Sequence, residues 1–256
     1  MQYITITIAY DGTAYHGWQK QNNTRKTIQG VLEDVLSESF GEMVTIHGSG
    51  RTDAGVHAKG QVANFRIQNL HKKNSLDFDA KKREANCLLP SDISILDMQT
   101  CKKHFHARKS AEGKIYSYTI WNSSISPVFE RNYVYQIEDE LDVGAMKEAS
   151  QLFLGTHDFT GFATAKTGQD NGIRTIYGIE FQVVQDKITM VYKGSGFLYN
   201  MVRIMSGTLI EIGLHKRSID SIGSIYESGL RREAGFLAPA KGLCLETVFY
   251  KKEDIQ

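Results

Sequence analysis

Residues 43–67, MVTIHGSGRTDAGVHAKGQVANFRI, decide how the chain folds. Met43 to His47 and Gln61 to Ile67 are short apolar runs that predict two strands, and the segment Gly48 to Gln61 between them carries four glycines. That density of glycine marks a loop where the backbone approaches something closely. Upstream, Ile28, Val31, Leu32, Val35 and Leu36 recur every three or four residues, the buried stripe of a helix that Gly41 ends. Before it, Ile4, Ile6 and Ile8 alternate with Tyr3, Thr5 and Thr7 in a strand that stops at Asp11-Gly12. Downstream, a helix from about Asp77 to Leu88, capped by Asp77 or Asp79 and stopped by Pro90, leads to the apolar run Ile93, Ile95, Leu96. The order is βαββαβ.

The remainder predicts the same order again. A strand at Lys114 to Trp121 precedes a helix with the stripe Ala145, Met146, Ala149, Leu152 and Phe153, set between Asp142 as N-cap and Gly155 at its end. Strands at Ile176 to Val184 and Ile188 to Lys193 follow, then a helix at Tyr199 to Ile212, an extra helix near Ser218 to Ser228, and a last strand at Leu243 to Tyr250. The predicted class is α/β (α+β): two pseudo-symmetric ferredoxin-like βαββαβ halves sharing a large mixed, mostly antiparallel sheet. No Ser/Pro/Gly-rich linker separates them, so residues 1–104 are expected to carry the glycine-rich loop and residues 105–256 to complete a cleft around it. Tyr10 to Arg25 and Thr160 to Arg174 fit no regular element, and loops of that length in a compact chain are commonly functional.

Composition narrows the class of function. The chain has 256 residues, 41% hydrophobic and 23% charged, with no run of 18 apolar residues, so neither disorder nor a membrane span is expected. Three cysteines, Cys87, Cys101 and Cys244, have no CxxC spacing, which argues against a disulfide framework or a zinc knuckle; the N-terminus alternates like a strand and has no secretory pattern, so a reducing cytoplasm is the expected setting. His104 and His106 make a poor metal site without neighbouring cysteine or carboxylate, and no metal is expected. The net charge of +1 conceals a division: residues 101–120 carry +4 and residues 121–160 carry −5. Lys102, Lys103, Arg108, Lys109 and Lys114, with histidines and tyrosines between them, would suit a phosphate backbone, although strand edges also collect lysine. Further basic pairs stand at Lys72-Lys73 and Lys216-Arg217.

Chemistry is sought in the loop itself. Gly48-Ser-Gly50 lacks the third glycine of a dinucleotide fingerprint, and Gly12 to Gly17 is followed by Trp18 rather than the lysine of a phosphate loop. Asp53 has two readings: a turn residue that caps its own loop, or a carboxylate kept ionised by Arg51, which suits a nucleophile better than a general acid. Arg203 lies among Met201, Val202, Ile204 and Met205 on a predicted helix, where it either pairs with an acid such as Asp53 or reaches out to solvent. Tyr116 and Tyr118 share one face of their strand, as core residues or as a platform for a base.

The loop Gly50 to Gln61, GRTDAGVHAKGQ, resembles the catalytic loop of the bacterial tRNA pseudouridine synthase A (pseudouridine synthase I) family. The resemblance continues through Tyr10-Asp-Gly, Gly17-Trp18-Gln19, Phe105-His-Ala-Arg108, Lys114-Ile-Tyr116-Ser-Tyr118, Asn200-Met-Val-Arg203 and Pro239-Ala-Lys-Gly-Leu243. It implies an isomerase that converts uridine to pseudouridine at tRNA positions 38, 39 and 40 without cofactor or metal. It also implies a homodimer. By the same resemblance Asp53 is the catalytic aspartate, Arg51 helps displace the target nucleotide, Tyr116 stacks on the uracil, Arg203 is the buried partner of the aspartate, and Leu243 walls the pocket. Arg108, Lys109 and Lys114 are the expected tRNA contacts. Lys114-Ile115 stands where the family often has a more arginine-rich pair. A glycosidase would need a second carboxylate beside Asp53, which the loop lacks, and a non-catalytic RNA-binding module would use Lys193 to Asn200 as a base-stacking strand, with Ser195 and Asn200 at positions that need aromatics.

Overall fold

Alternation in the first ten residues becomes β1 (Gln2–Tyr10), whose Ile4, Ile6, Ile8 and Tyr10 are all at most 4% exposed on one face. The structure is a computed structural model and describes residues 1–68, 77–164, 171–251 and 253. The basic pair Lys72-Lys73 and residues 165–170 of the long segment Thr160 to Arg174 lie outside that range. After β1 come α1 (Ile28–Phe40), β2 (His47–Gly48), β3 (His57–Ile67), α2 (Phe78–Leu88) and β4 (Ile93–Thr100). There follow β5 (Gly113–Asn122), β6 (Tyr135–Ile137), α3 (Val143–Ser150), β7 (Gly155–Asp158), β8 (Ile173–Val184), β9 (Lys187–Gly194), α4 (Met201–Gly213), α5 (Ser221–Ser228) and β10 (Leu243–Phe249). The class is α+β. The pairs β1–β3, β1–β4, β2–β3, β5–β9, β7–β8 and β8–β9 are antiparallel and β5–β6 is parallel, a mixed and mostly antiparallel pairing as expected.

Two compact units divide the chain: Met1–Glu112 with the described residues from Leu245 onward, and Gly113–Cys244. In the first, β1 lies between β4 and β3, and β10 lies on the far side of β3. Helix α1 begins where Thr27 Oγ1 accepts the Gly30 N–H and ends at Gly41, which is left-handed at φ 67. It buries Ile28, Leu32 and Leu36 completely, and Phe40 meets Phe65 of β3 edge-on at 5.7 Å. Each aliphatic side chain so buried contributes roughly 1.5–3 kcal/mol. Residues 105–112 belong to this unit because Tyr250 Oη donates to the Ala107 carbonyl at 2.9 Å and the Glu112 N–H donates to the Phe249 carbonyl.

One expected strand is almost absent. Only His47 and Gly48 pair with β3, although Val44 and Ile46 are buried in alternation. The backbone of 44–46 is held by side chains of α1 instead: the Val44 N–H donates to Ser37 Oγ, the Ile46 N–H to Glu33 Oε1 at 3.1 Å, and Gln29 Nε2 to the Ile46 carbonyl. Glu33 is 6% exposed and also accepts from Lys20 Nζ at 3.0 Å and Gln29 Nε2 at 2.9 Å, so one carboxylate holds three donors. Glu33→Ala is therefore expected to lower stability by about 3 kcal/mol in urea unfolding, with Glu33→Gln costing less because it keeps an acceptor.

In the second unit the strands run β5–β9–β8–β7, with β6 beside β5. Tyr118, Ile120, Met190 and Tyr192 are fully buried or nearly so, as are Met201, Ile204, Met205 and Leu209 of α4. The short strands β6 and β7 were not expected, since three and four residues of mixed polarity carry no period. Helix α4 starts at Met201 rather than Tyr199, because Asn200 is left-handed at φ 64 and cannot continue a right-handed helix.

Candidate active site

The glycine-rich loop is shorter than the sequence suggests, residues 49–56, because β3 begins at His57. Its conformation is set by residues that the sequence reading left without a role. Ser49 donates its N–H to the Val62 carbonyl, while Gln61 Nε2 donates to the Gly50 carbonyl at 3.0 Å and Gln61 Oε1 accepts from Ser49 Oγ. Tyr10 Oη and Thr52 Oγ1 are 2.8 Å apart in a buried hydrogen bond. The Trp18 N–H donates to the Thr52 carbonyl at 3.0 Å, and the Gly12 N–H donates to His57 Nδ1 at 3.1 Å. Trp18, 2% exposed, packs where a side chain at residue 48 would stand: a Cβ on Gly48 would come within 2.6 Å of the indole. The long segment Tyr10 to Arg25 is thus the clamp that holds this loop.

Asp53 opens a turn closed by the Val56 N–H on the Asp53 carbonyl at 3.1 Å, with Gly55 at φ 77 in its third position, the type II geometry that calls for glycine. Because the main chain closes the turn, closure does not depend on the Asp53 side chain. Asp53 is half-buried and Arg51 is exposed. Gly55→Ala is expected to cost about 1–2 kcal/mol in chemical denaturation, since a Cβ is strained at this φ.

Arg51 also faces a groove of about 340 Å³ with His47, His106, Arg108 and Lys109. The basic strip divides between the units. Lys102, Lys103, Arg108 and Lys109 are exposed on the first, whereas Lys114 is half-buried on β5 of the second.

Within the second unit, Arg203 is half-buried rather than buried. Residues on α4 leave it at the helix start, where its fork is anchored: Nε donates to the Ala238 carbonyl at 2.7 Å and Nη1 to Asn200 Oδ1 at 3.2 Å. Asn200 Nδ2 in turn donates to Thr164 Oγ1. The helix Asn200 starts is therefore built around the arginine. Tyr118 Oη donates to the Pro239 carbonyl at 3.0 Å; burial pushes its hydroxyl well above the usual range, against a smaller opposing pull from Arg203. Tyr118 is thus a core residue that closes the 239–242 turn. Tyr116 is 7% exposed, stands opposite Tyr192 in the ladder and meets Phe197 edge-on at 5.3 Å. Leu243, also 7% exposed, begins β10 directly after that turn. The run Lys193 to Asn200 leaves the sheet after Gly194, so it does not form the base-stacking strand of an RNA-binding module.

Among the described residues, no group of three or more His, Cys, Asp or Glu could hold a metal ion, and no helix is long and apolar enough to cross a membrane. The Asp53 carboxylate stands on a loop clamped from several sides, beside an arginine and a cationic groove.

A family model described as tRNA pseudouridine synthase matches residues 6–108 and 149–251. Relatives agree over nearly the full length. The chain is 44% identical over 251 residues to tRNA pseudouridine synthase A 2 of Clostridium perfringens, covering 98% of this chain and 100% of the relative. It is 46% identical over 248 residues to tRNA pseudouridine synthase A of Geobacillus sp. strain WCH70, covering 96% and 98%. The tRNA pseudouridine synthase A of Bacillus sp. strain KSM-64 is 45% identical over 252 residues, covering 98% and 100%. The chain belongs to the tRNA pseudouridine synthase family, isomerases that convert uridine to pseudouridine.

Proposed function

We propose that this enzyme isomerises uridine at positions 38, 39 and 40 in the anticodon stem and loop of tRNA, with Asp53 as the catalytic carboxylate. The observation that carries the reading is the 50–61 loop: a half-buried aspartate whose loop neighbours are held by hydrogen bonds, Thr52 to Tyr10 and Trp18 and Gly50 to Gln61, in a chain 44% identical over 251 residues to a tRNA pseudouridine synthase. The reaction breaks N1–C1′, turns the uracil and joins C5 to C1′; the C5 proton leaves and N1 gains one. Composition and oxidation state do not change, so side chains alone can carry it. Asp53 serves either by attacking C1′ or by taking the C2′ proton, and in each route a carboxylate is the group required.

The target nucleotide must leave the stack to reach Asp53. Arg51, exposed beside it, is suited to occupy the gap, and Tyr116 and Leu243 to contact the flipped uracil as ring and wall. Arg203, with its fork pre-set by Ala238 and Asn200, is the partner assigned to the Asp53 carboxylate. Arg108, Lys109 and Lys114 are assigned to the tRNA backbone, in a cytoplasmic homodimer that needs no cofactor and no metal. Residues 1–104 would then supply the catalytic loop and residues 105–256 the rest of the cleft. Tritium release from uracil C5 in anticodon-arm transcripts, with each candidate uridine replaced in turn, tests the reaction and the positions together. Release that persists when all three uridines are absent would overturn the positional assignment.

A further inference from the structure

His47 and His106 have no part in the chemistry above, yet they stand at the edge of the Asp53 loop. The first lies on β2 and the second follows β4, and their rings are 5.5 Å apart at 31°. Both line the groove that holds Arg51, Arg108 and Lys109, the last three exposed, and among the described residues no Asp or Glu lines it. Gln29 closes one side, its Oε1 taken by Gln19 Nε2 at 2.7 Å. A concave surface with three cations and no carboxylate is unfavourable alone and is relieved by an anion.

The state of His106 is legible from its contacts. The Arg108 N–H donates to His106 Nδ1 at 3.2 Å, which leaves the ring proton on Nε2 as a donor. Burial, then the charges of His47, Lys109 and Arg108, hold its pKa below the usual value, so at neutral pH the ring is uncharged. A neutral imidazole with one fixed N–H can bond a phosphate oxygen without adding charge to the cluster.

We propose that this groove is a phosphodiester subsite for the RNA strand entering the Asp53 loop, in which Arg108 and Lys109 supply the charge and His106 supplies one neutral hydrogen bond that fixes the phosphate. The proposal rests on the RNA-modifying reading above and adds a binding residue to it. Charge and orientation are thereby divided: the two cations release counterions, whereas His106 selects geometry.

Affinity of the full chain for an unmodified tRNA transcript, measured from 50 to 200 mM salt at pH 7.5, separates these parts. Arg108→Ala with Lys109→Ala is expected to flatten the slope of log affinity against log salt by about 1.5, two phosphate charges at 0.7–0.9 each. His106→Phe keeps a ring and loses the donor; it should weaken binding about fivefold with no change in slope, and His106→Gln, which restores an N–H at a similar reach, should recover most of the loss. Binding by His106→Phe equal to wild type, failure of His106→Gln to recover, or an unchanged slope in the double variant would overturn the subsite. Pseudouridine formation by the wild-type chain, assayed in parallel, tells that outcome apart from failure of the wider reading.

Discussion

Asp53→Ala is expected to abolish pseudouridine formation, a loss of roughly 10⁴-fold or more, while the protein keeps its wild-type melting temperature within a degree or two. The activity half follows from chemistry: both routes to glycosidic cleavage need a carboxylate, and alanine supplies neither a nucleophile nor a base. The stability half follows from the loop. Its turn is closed by the Val56 N–H on the Asp53 carbonyl, Thr52 is tied to Tyr10 and Trp18, and Gly50 is tied to Gln61. All of these bonds survive the substitution. Asp53→Asn, which keeps the shape and loses the charge, should be equally inactive. Tritium release with each variant, beside a thermal melt, decides the matter, and an active Asp53→Ala enzyme would sink the assignment.

Arg203→Ala is expected to remove activity and about 3 kcal/mol of stability together, roughly 1.5 kcal/mol for each of the two charge-assisted hydrogen bonds its half-buried fork makes. Its Nε and Nη1 hold the Ala238 carbonyl and Asn200 Oδ1, which join the 238–242 turn to the start of α4. Alanine leaves those acceptors without their donor and, on the proposed pairing, leaves the Asp53 carboxylate without its counter-charge. Lysine is no substitute, since a single ammonium cannot donate along two directions of a planar fork. Arg203→Lys should therefore recover part of the stability in urea unfolding and little of the turnover. Unchanged stability and turnover in Arg203→Ala would contradict both the anchoring and the pairing.

Much of the fold was legible because it rests on local periodicity. The period of two in residues 3–8, the helical stripe from Ile28 to Leu36, and the caps Asp77 and Asp142, which accept from Ala80 and Ala145, all recur in the structure. Residues 43–46 did not form the expected strand because a competing interaction, the reach of Glu33, Gln29 and Ser37 from α1, satisfies that backbone. Nothing in a run of alternating apolar residues signals such a partner. Tyr10, Trp18 and Gln61 were missed as loop supports for a similar reason, although the glycine at 48 was a signal that a bulky group lies against it.

By itself the sequence determined the class of the protein. Short-range period set the order of elements, and a string of residue types as specific as Gly50 to Gln61 marked the family, since both are properties of neighbours along the chain. The tertiary structure decided which residues surround that loop and the candidate site: that Trp18 lies on Gly48, that the rings of His106 and His47 meet in the groove beside Arg51, and that Arg203 is anchored by Ala238 and Asn200. The contacts of Trp18 with Gly48, His47 with His106 and Arg203 with Ala238 join residues 30 to 60 positions apart; they depend on how the strands register and the helices pack, and no local pattern of residue types records them.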